Sequence, residues 1–93
     1  MRIAAMTFQL RAPWVHSLKE KRAIVKRLVA GLQNRFHVSA AEIDAQDVHQ
    51  LLVIGAAAIV PHAAMADHLM DELGAFIEES TDAELIEQTL EIR

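Results

Sequence analysis

Cysteine is absent from the 93 residues of this chain, and glycine, proline and aromatic residues are scarce. Without thiols the chain forms no disulfide, no zinc ribbon and no cysteine nucleophile. Its three glycines are dispersed, so no glycine-rich loop of the kind that cradles nucleotide phosphates is present. With no Tyr, one Trp and three Phe, the chain also offers few rings on which RNA bases stack.

Long hydrophobic runs are absent too. The longest, residues 51–61, is far shorter than the roughly 20 residues that cross a bilayer. The start of the chain lacks the cleavage signature of a signal peptide. We therefore expect a cytoplasmic protein with no membrane partner. A composition of 53% hydrophobic and 24% charged residues is typical of a globular chain, so residues 1–93 are expected to form a single small domain.

Positive charge is concentrated in the first part of the sequence and negative charge in the last part. Residues 1–36 contain eight Lys or Arg and one acidic residue, whereas residues 61–93 contain nine acidic residues and only Arg93 as a base. A local basic surface on a chain of net charge −4 indicates a phosphate-bearing or acidic partner. The alternative is that the two charged surfaces attract each other, within one chain or between copies.

The spacing of apolar residues predicts alternating strands and helices. Residues 2–11 alternate with period two, whereas the first helix has apolar residues at helical spacing. Residues 50–60 are apolar on both faces, which is typical of a central strand. The predicted elements are strand 2–11, helix 18–35, strand 37–43, strand 50–60, helix 62–79 and strand 84–92.

This order predicts an α+β, ferredoxin-like split βαββαβ fold. Right-handed crossovers place both helices on one face of a four-stranded antiparallel sheet. The first and third strands are then central and the fourth is an edge, where Glu87 and Glu91 discourage unwanted pairing.

The start of the first helix has a specific sequence signature. Ser17, followed three residues later by Glu20, is a capping box. The Ser17 oxygen is expected to accept from an unpaired backbone N–H of the first turn, and the Glu carboxylate from the Ser17 N–H. Trp14, just before it, is expected to cover the small core or to staple the start of the helix, although Trp is also enriched at binding hot spots.

A longer pattern carries a family resemblance. An N-terminal strand is followed by Pro13-x-x-His16-Ser17-Leu18-Lys19-Glu20-Lys21-Arg22, then by Asn34-Arg35-Phe36-His37-Val38-Ser39-Ala40-Ala41-Glu42 and Asp47. In this pattern the chain resembles the YlxP-like family of small bacterial proteins over essentially its whole length. The resemblance implies a ferredoxin-like domain and, because family members are often encoded near transcription-elongation and translation-initiation genes, a role near RNA or the ribosome. It implies no catalytic residues.

The first helix is the predicted binding element, because it carries most of the basic residues. Such a face neutralises several phosphates and binds with strong salt dependence. An ordinary solvated helix face is the alternative. The predicted nucleic-acid contacts are Lys19, Lys21, Arg22, Lys26, Arg27 and Arg35, with Arg11 and Trp14 as accessories.

The sheet face away from the helices has a different predicted role. Residues 50–60 contain no aromatic side chain, and Glu87 and Glu91 repel phosphate, so we reject a conventional RNA-recognition module. A flat apolar face with small residues instead favours a homodimer formed through the sheet. A self-associating interaction or regulatory module without a nucleic-acid role is therefore the alternative function.

Catalytic and metal-binding patterns are weak. His62 and His68 are six residues apart, which places them on different faces of a helix. Asp44, Asp47 and His49 are close in sequence, but their spacing matches no established ligand motif, so a polar turn is favoured over a cation site. We therefore expect no enzyme activity and no cofactor.

Overall fold

The computed structural model describes residues 1–93 and has the predicted element order. All strand pairs are antiparallel, in the order β2-β3-β1-β4 across the sheet. The α+β ferredoxin-like fold is confirmed, and β1 and β3 are the central strands. The elements are β1 Arg2–Arg11, α1 Leu18–Phe36, β2 Ser39–Asp44, β3 Leu51–Val60, α2 Ala63–Ser80 and β4 Glu84–Ile92.

One hydrophobic core lies between the sheet and the two helices. The register places Phe8 of β1 opposite Ile54 of β3, and both side chains are fully buried. Alternation along the strands therefore sends every second residue into the core, as the period-two pattern predicts. The helices cover this face of the sheet with buried leucine and isoleucine side chains at Leu28, Leu32, Leu73 and Ile77.

Several element boundaries differ from the prediction by one or two residues, and at two of them a histidine is the cause. β2 starts at Ser39 because His37 is the C-cap of α1, with a left-handed φ of 54° and its N–H bonded to Gln33 O at 3.2 Å. α2 starts at Ala63 because His62 is its N-cap: the imidazole Nδ1 accepts from the Met65 N–H at 3.3 Å. In both places a histidine caps a helix instead of joining the neighbouring element.

The two helices pack tightly at Gly31. A Cβ atom at this position would lie 2.5 Å from Cζ of Phe76 in α2. The Phe76 ring in turn stands edge-on to the Phe36 ring, with centroids 5.6 Å apart. The absence of a side chain at Gly31 therefore sets how the basic helix sits beside the acidic one.

No helix is long and apolar enough to cross a membrane.

Candidate nucleic-acid interface

The start of α1 is held by its cap and by the neighbouring loop. The Ser17 Oγ accepts from the Glu20 N–H at 3.1 Å, as predicted. The Glu20 carboxylate accepts from the His16 N–H at 3.2 Å rather than from the N–H of Ser17. Gln50, at the end of the β2–β3 loop, donates its side-chain amide to Pro13 O at 2.9 Å. These bonds fix the first turn of the helix that carries the basic residues.

Lys19, Arg22 and Lys26 form an exposed row along α1, which we call the α1 cationic stripe. Residues at i, i+3 and i+7 lie on one side of a helix. The same side carries Gln33, whose amide donates to Ala40 O of β2 at 3.1 Å, so the stripe runs along the flank nearer β2. The salt bridges of the molecule all involve other residues, which leaves these three cations free to meet an external anion.

Lys21 does not belong to this row, and its predicted place on the exposed face is wrong. Its side chain is only 1% exposed. The Nζ atom donates to Val48 O at 2.7 Å and to Ala45 O, and lies 2.9 Å from Glu42 Oε2. A turn of about 100° per residue carries Lys21 to the side of α1 that faces the sheet. Its charge is used inside the protein and is unavailable to a ligand.

Glu42 is the partner that sequence reasoning missed. No hydrogen-bond donor is well aligned with its Oε2, so the contact with Lys21 is an ionic one. The position of Glu42 in its strand could have indicated this contact. Glu42 lies opposite the buried Ile54 and is therefore on the helix-facing side of β2. An acidic residue on that side needs a cation nearby.

Arg27 and Arg35 are separated from the stripe by their contacts with the α2 side. Arg27 lines a groove of about 450 Å³ between the helices, together with Glu78 and Glu79 of α2. The Arg35 guanidinium lies 5.6 Å from the centre of the Phe76 ring, near the other end of α1. The six predicted contact residues therefore do not form one surface.

The two accessory residues lie elsewhere as well. Trp14 is 42% exposed and lines the same groove between the helices, so the expectation that it covers the core is wrong. Its neighbour Val15 is fully buried instead. Arg11 forms a salt bridge with Glu84 of β4, with 3.7 Å between the charged atoms. Neither residue extends the α1 cationic stripe.

The face of the sheet opposite the helices, the open sheet face, exposes three isoleucines. Ile59 is 72% exposed, Ile43 51% and Ile3 42%. The Ile43 side chain lies over Gly55 of β3. A Cβ atom at Gly55 would be 2.8 Å from Ile43 Cγ2, so the glycine makes room for this isoleucine. The pairing of β2 with β3 reaches only Ala57, so Ile59 has no strand beside it on that edge.

The histidines and carboxylates do not converge. Nowhere in the chain do three or more His, Asp or Glu side chains gather as a metal site requires. Asp44 caps its own turn, because its Oδ1 accepts from the Ala45 N–H at 2.7 Å.

The fold and the stripe together define a class: small α+β ferredoxin-like domains with a cationic first helix and an apolar sheet face. Within that class, the chain belongs to the family described as "Protein of unknown function (DUF503)", whose model matches residues 3–90. It is also 38% identical over 68 residues to the "Uncharacterized protein YlxP" of Bacillus subtilis (strain 168), covering 73% of this chain and 74% of that protein. The YlxP-like resemblance is thereby confirmed.

Proposed function

We propose that this protein is a non-enzymatic RNA-binding protein that associates with ribosomal RNA through the α1 cationic stripe. The observation that carries the proposal is the row of three exposed, unpaired cations on one side of α1. Two other exposed cations, Arg11 and Arg93, form salt bridges with carboxylates of β4. Cations kept free of acidic partners are suited to contact phosphates and to release their counterions.

The stripe has the dimensions of a backbone contact. From Lys19 to Lys26 the helix rises about 10 Å, which spans neighbouring phosphates of one strand. Phosphate contacts supply affinity and position but little sequence information. The interface offers no aromatic ring beside the stripe, so binding is expected to tolerate many RNA sequences.

The test compares two triple variants that remove the same charge from different places. Lys19→Ala/Arg22→Ala/Lys26→Ala removes the stripe, and Arg2→Ala/Arg11→Ala/Arg93→Ala removes three exposed cations elsewhere. Binding to a fluorescent single-stranded RNA is measured by anisotropy over a range of salt concentrations. Co-sedimentation with bacterial ribosomal subunits is measured at low and moderate salt.

We expect the stripe variant to lose affinity. The plot of log K against log salt should become shallower, with the magnitude of its slope reduced by about 2. The control variant should change both far less, because it leaves the stripe intact. Equal losses in the two variants would show that only net charge matters and would contradict the stripe. Absence of RNA and ribosome binding by the unmodified protein at low salt would remove the proposal altogether.

A second function, self-association through the open sheet face, is supported by the three exposed isoleucines. Contiguous apolar surface of this kind is rare on monomers unless it meets a partner. In this proposal two copies pack their sheets together and the helices remain outside.

A further inference from the structure

The α1 cationic stripe is bordered by acidic residues on both sides. On the α2 side, the groove between the helices is lined by Glu78, Glu79 and Asp82. On the β2 side, Asp44 ends β2 and Asp47 lies in the β2–β3 loop, and both are exposed. We call these two sets the helix border and the loop border. The three unpaired cations therefore lie between two acidic sets, and we call this positive strip of α1 the corridor.

The loop border is held in place by the buried Lys21. Its Nζ donates to the carbonyl oxygens of Ala45 and Val48, which bracket Asp47 in the chain. The turn at Asp44 is closed by the bond from the Ala45 N–H to the Asp44 Oδ1. Since Lys21 belongs to the first turn of α1, these bonds tie the loop to the helix, and the loop border stays beside the stripe.

The helix border is held by the packing of α1 against α2. The close contact between Gly31 and Phe76 keeps the two helices side by side, and packed helix axes lie about 8–10 Å apart. Arg27 is the one cation in the groove, facing the acidic residues of α2. A polyanion that extends from the stripe across α1 therefore meets negative charge on this side.

On the basis of the proposed function, we infer that the stripe accepts one RNA strand and discriminates against duplex RNA. A single strand lies along the corridor with its phosphates over Lys19, Arg22 and Lys26. An A-form duplex has a second backbone across its wide, shallow minor groove. With one backbone on the stripe, that second backbone comes over the helix border or the loop border, where like charges repel it.

The experiment measures binding of a single-stranded RNA and of a duplex with the same total number of nucleotides. The helix-border variant is Glu78→Gln/Glu79→Gln/Asp82→Asn, and the loop-border variant is Asp44→Asn/Asp47→Asn. Asparagine at 44 keeps the oxygen that accepts from the Ala45 N–H. The matched control is Glu87→Gln/Glu91→Gln, which removes two charges from β4, as many as the loop-border variant removes.

We expect the unmodified protein to bind the single strand at least about tenfold more tightly than the duplex, a difference of about 1.4 kcal/mol. Each border variant should raise duplex affinity several-fold and single-strand affinity less. The control should change both affinities equally, because β4 lies away from the corridor.

The possible failures are distinguishable. If the duplex binds as tightly as the single strand and removal of the stripe weakens both, the proposed function stands and the one-strand inference is overturned. If the border variants leave duplex binding unchanged, the inference is overturned as well. If neither RNA binds the unmodified protein, the proposed function itself fails.

Discussion

At the scale of single residues, Lys21 shows how one turn of helix separates a ligand-binding cation from a structural one. It lies between Lys19 and Arg22 in the sequence, yet its neighbours are exposed while it is buried. The burial is tolerated because two carbonyl oxygens and the Glu42 carboxylate surround the ammonium group. A buried charge without such partners is strongly destabilising.

Replacement of Lys21 is expected to destabilise the fold. In Lys21→Ala the Glu42 carboxylate, which is largely buried, loses its cation and the carbonyls of Ala45 and Val48 lose their donor. We expect the free energy of unfolding to fall by about 3 kcal/mol, measured by urea denaturation.

Lys19→Ala is the matched control, because Lys19 is exposed on the same turn, and its effect should stay within about 0.5 kcal/mol. An unchanged urea midpoint for Lys21→Ala would mean that the Lys21–Glu42 contact adds no net stability.

At the scale of elements, α1 and α2 are matched in shape as well as in charge. Gly31 lets the Phe76 ring come close to the α1 backbone, and the Arg35 guanidinium covers the same ring. Glycine inside a helix costs about 1 kcal/mol relative to alanine. The close approach of Phe76 accounts for a glycine at this point of α1.

Gly31→Ala is therefore expected to destabilise the protein in spite of its better helix propensity. The added methyl group meets Phe76 Cζ, and the ring is confined by Phe36, so we expect a net loss of about 1 kcal/mol. Thermal unfolding followed by circular dichroism measures the change.

The double variant Gly31→Ala/Phe76→Leu separates this packing effect from other causes. A smaller side chain at position 76 makes room for the methyl group, so the cost of Gly31→Ala should be smaller in the Phe76→Leu background. A higher melting temperature for Gly31→Ala alone would show that the ring moves freely and that the expected clash is absent.

At the scale of the whole molecule, the charged and apolar surfaces lie on opposite sides. The helix layer carries the cationic stripe and the acidic α2, while the open sheet face carries Ile3, Ile43 and Ile59. A protein arranged in this way can bind a polyanion on one side and a second copy on the other, because the two surfaces do not overlap.

Self-association is tested by placing charge on the open sheet face. If copies pair through their sheets, Ile43→Lys/Ile59→Lys should shift a dimer to the monomer mass in sedimentation velocity at tens of micromolar. Met65→Lys is the control, because Met65 is an exposed apolar residue of α2. A monomer mass for the unmodified protein at this concentration would contradict the self-association proposal.

Local patterns in the sequence determined the order of the elements, the central position of β3 and the Ser17 cap. These features depend on residues a few positions apart: period-two alternation, helical spacing and a side chain that bonds to a backbone N–H three residues on. They were predicted because strand pleat and helix pitch are the same in every protein. The boundaries at His37 and His62 were missed because histidine is a less common C-cap than Gly or Asn and a less common N-cap than Ser, Thr, Asp or Asn.

Helical spacing alone places Lys19, Arg22 and Lys26 on one side of α1, and only the tertiary structure decided what each of the other basic residues meets. Lys21 is buried because Ala45 and Val48, 24 and 27 residues further along the chain, bring their carbonyl oxygens to it. Arg27 and Arg35 lie off the stripe by helix rotation, and α2, distant in sequence, packs against their side of α1. The count of charges is a property of the sequence, but which charges are free depends on neighbours that only folding brings together.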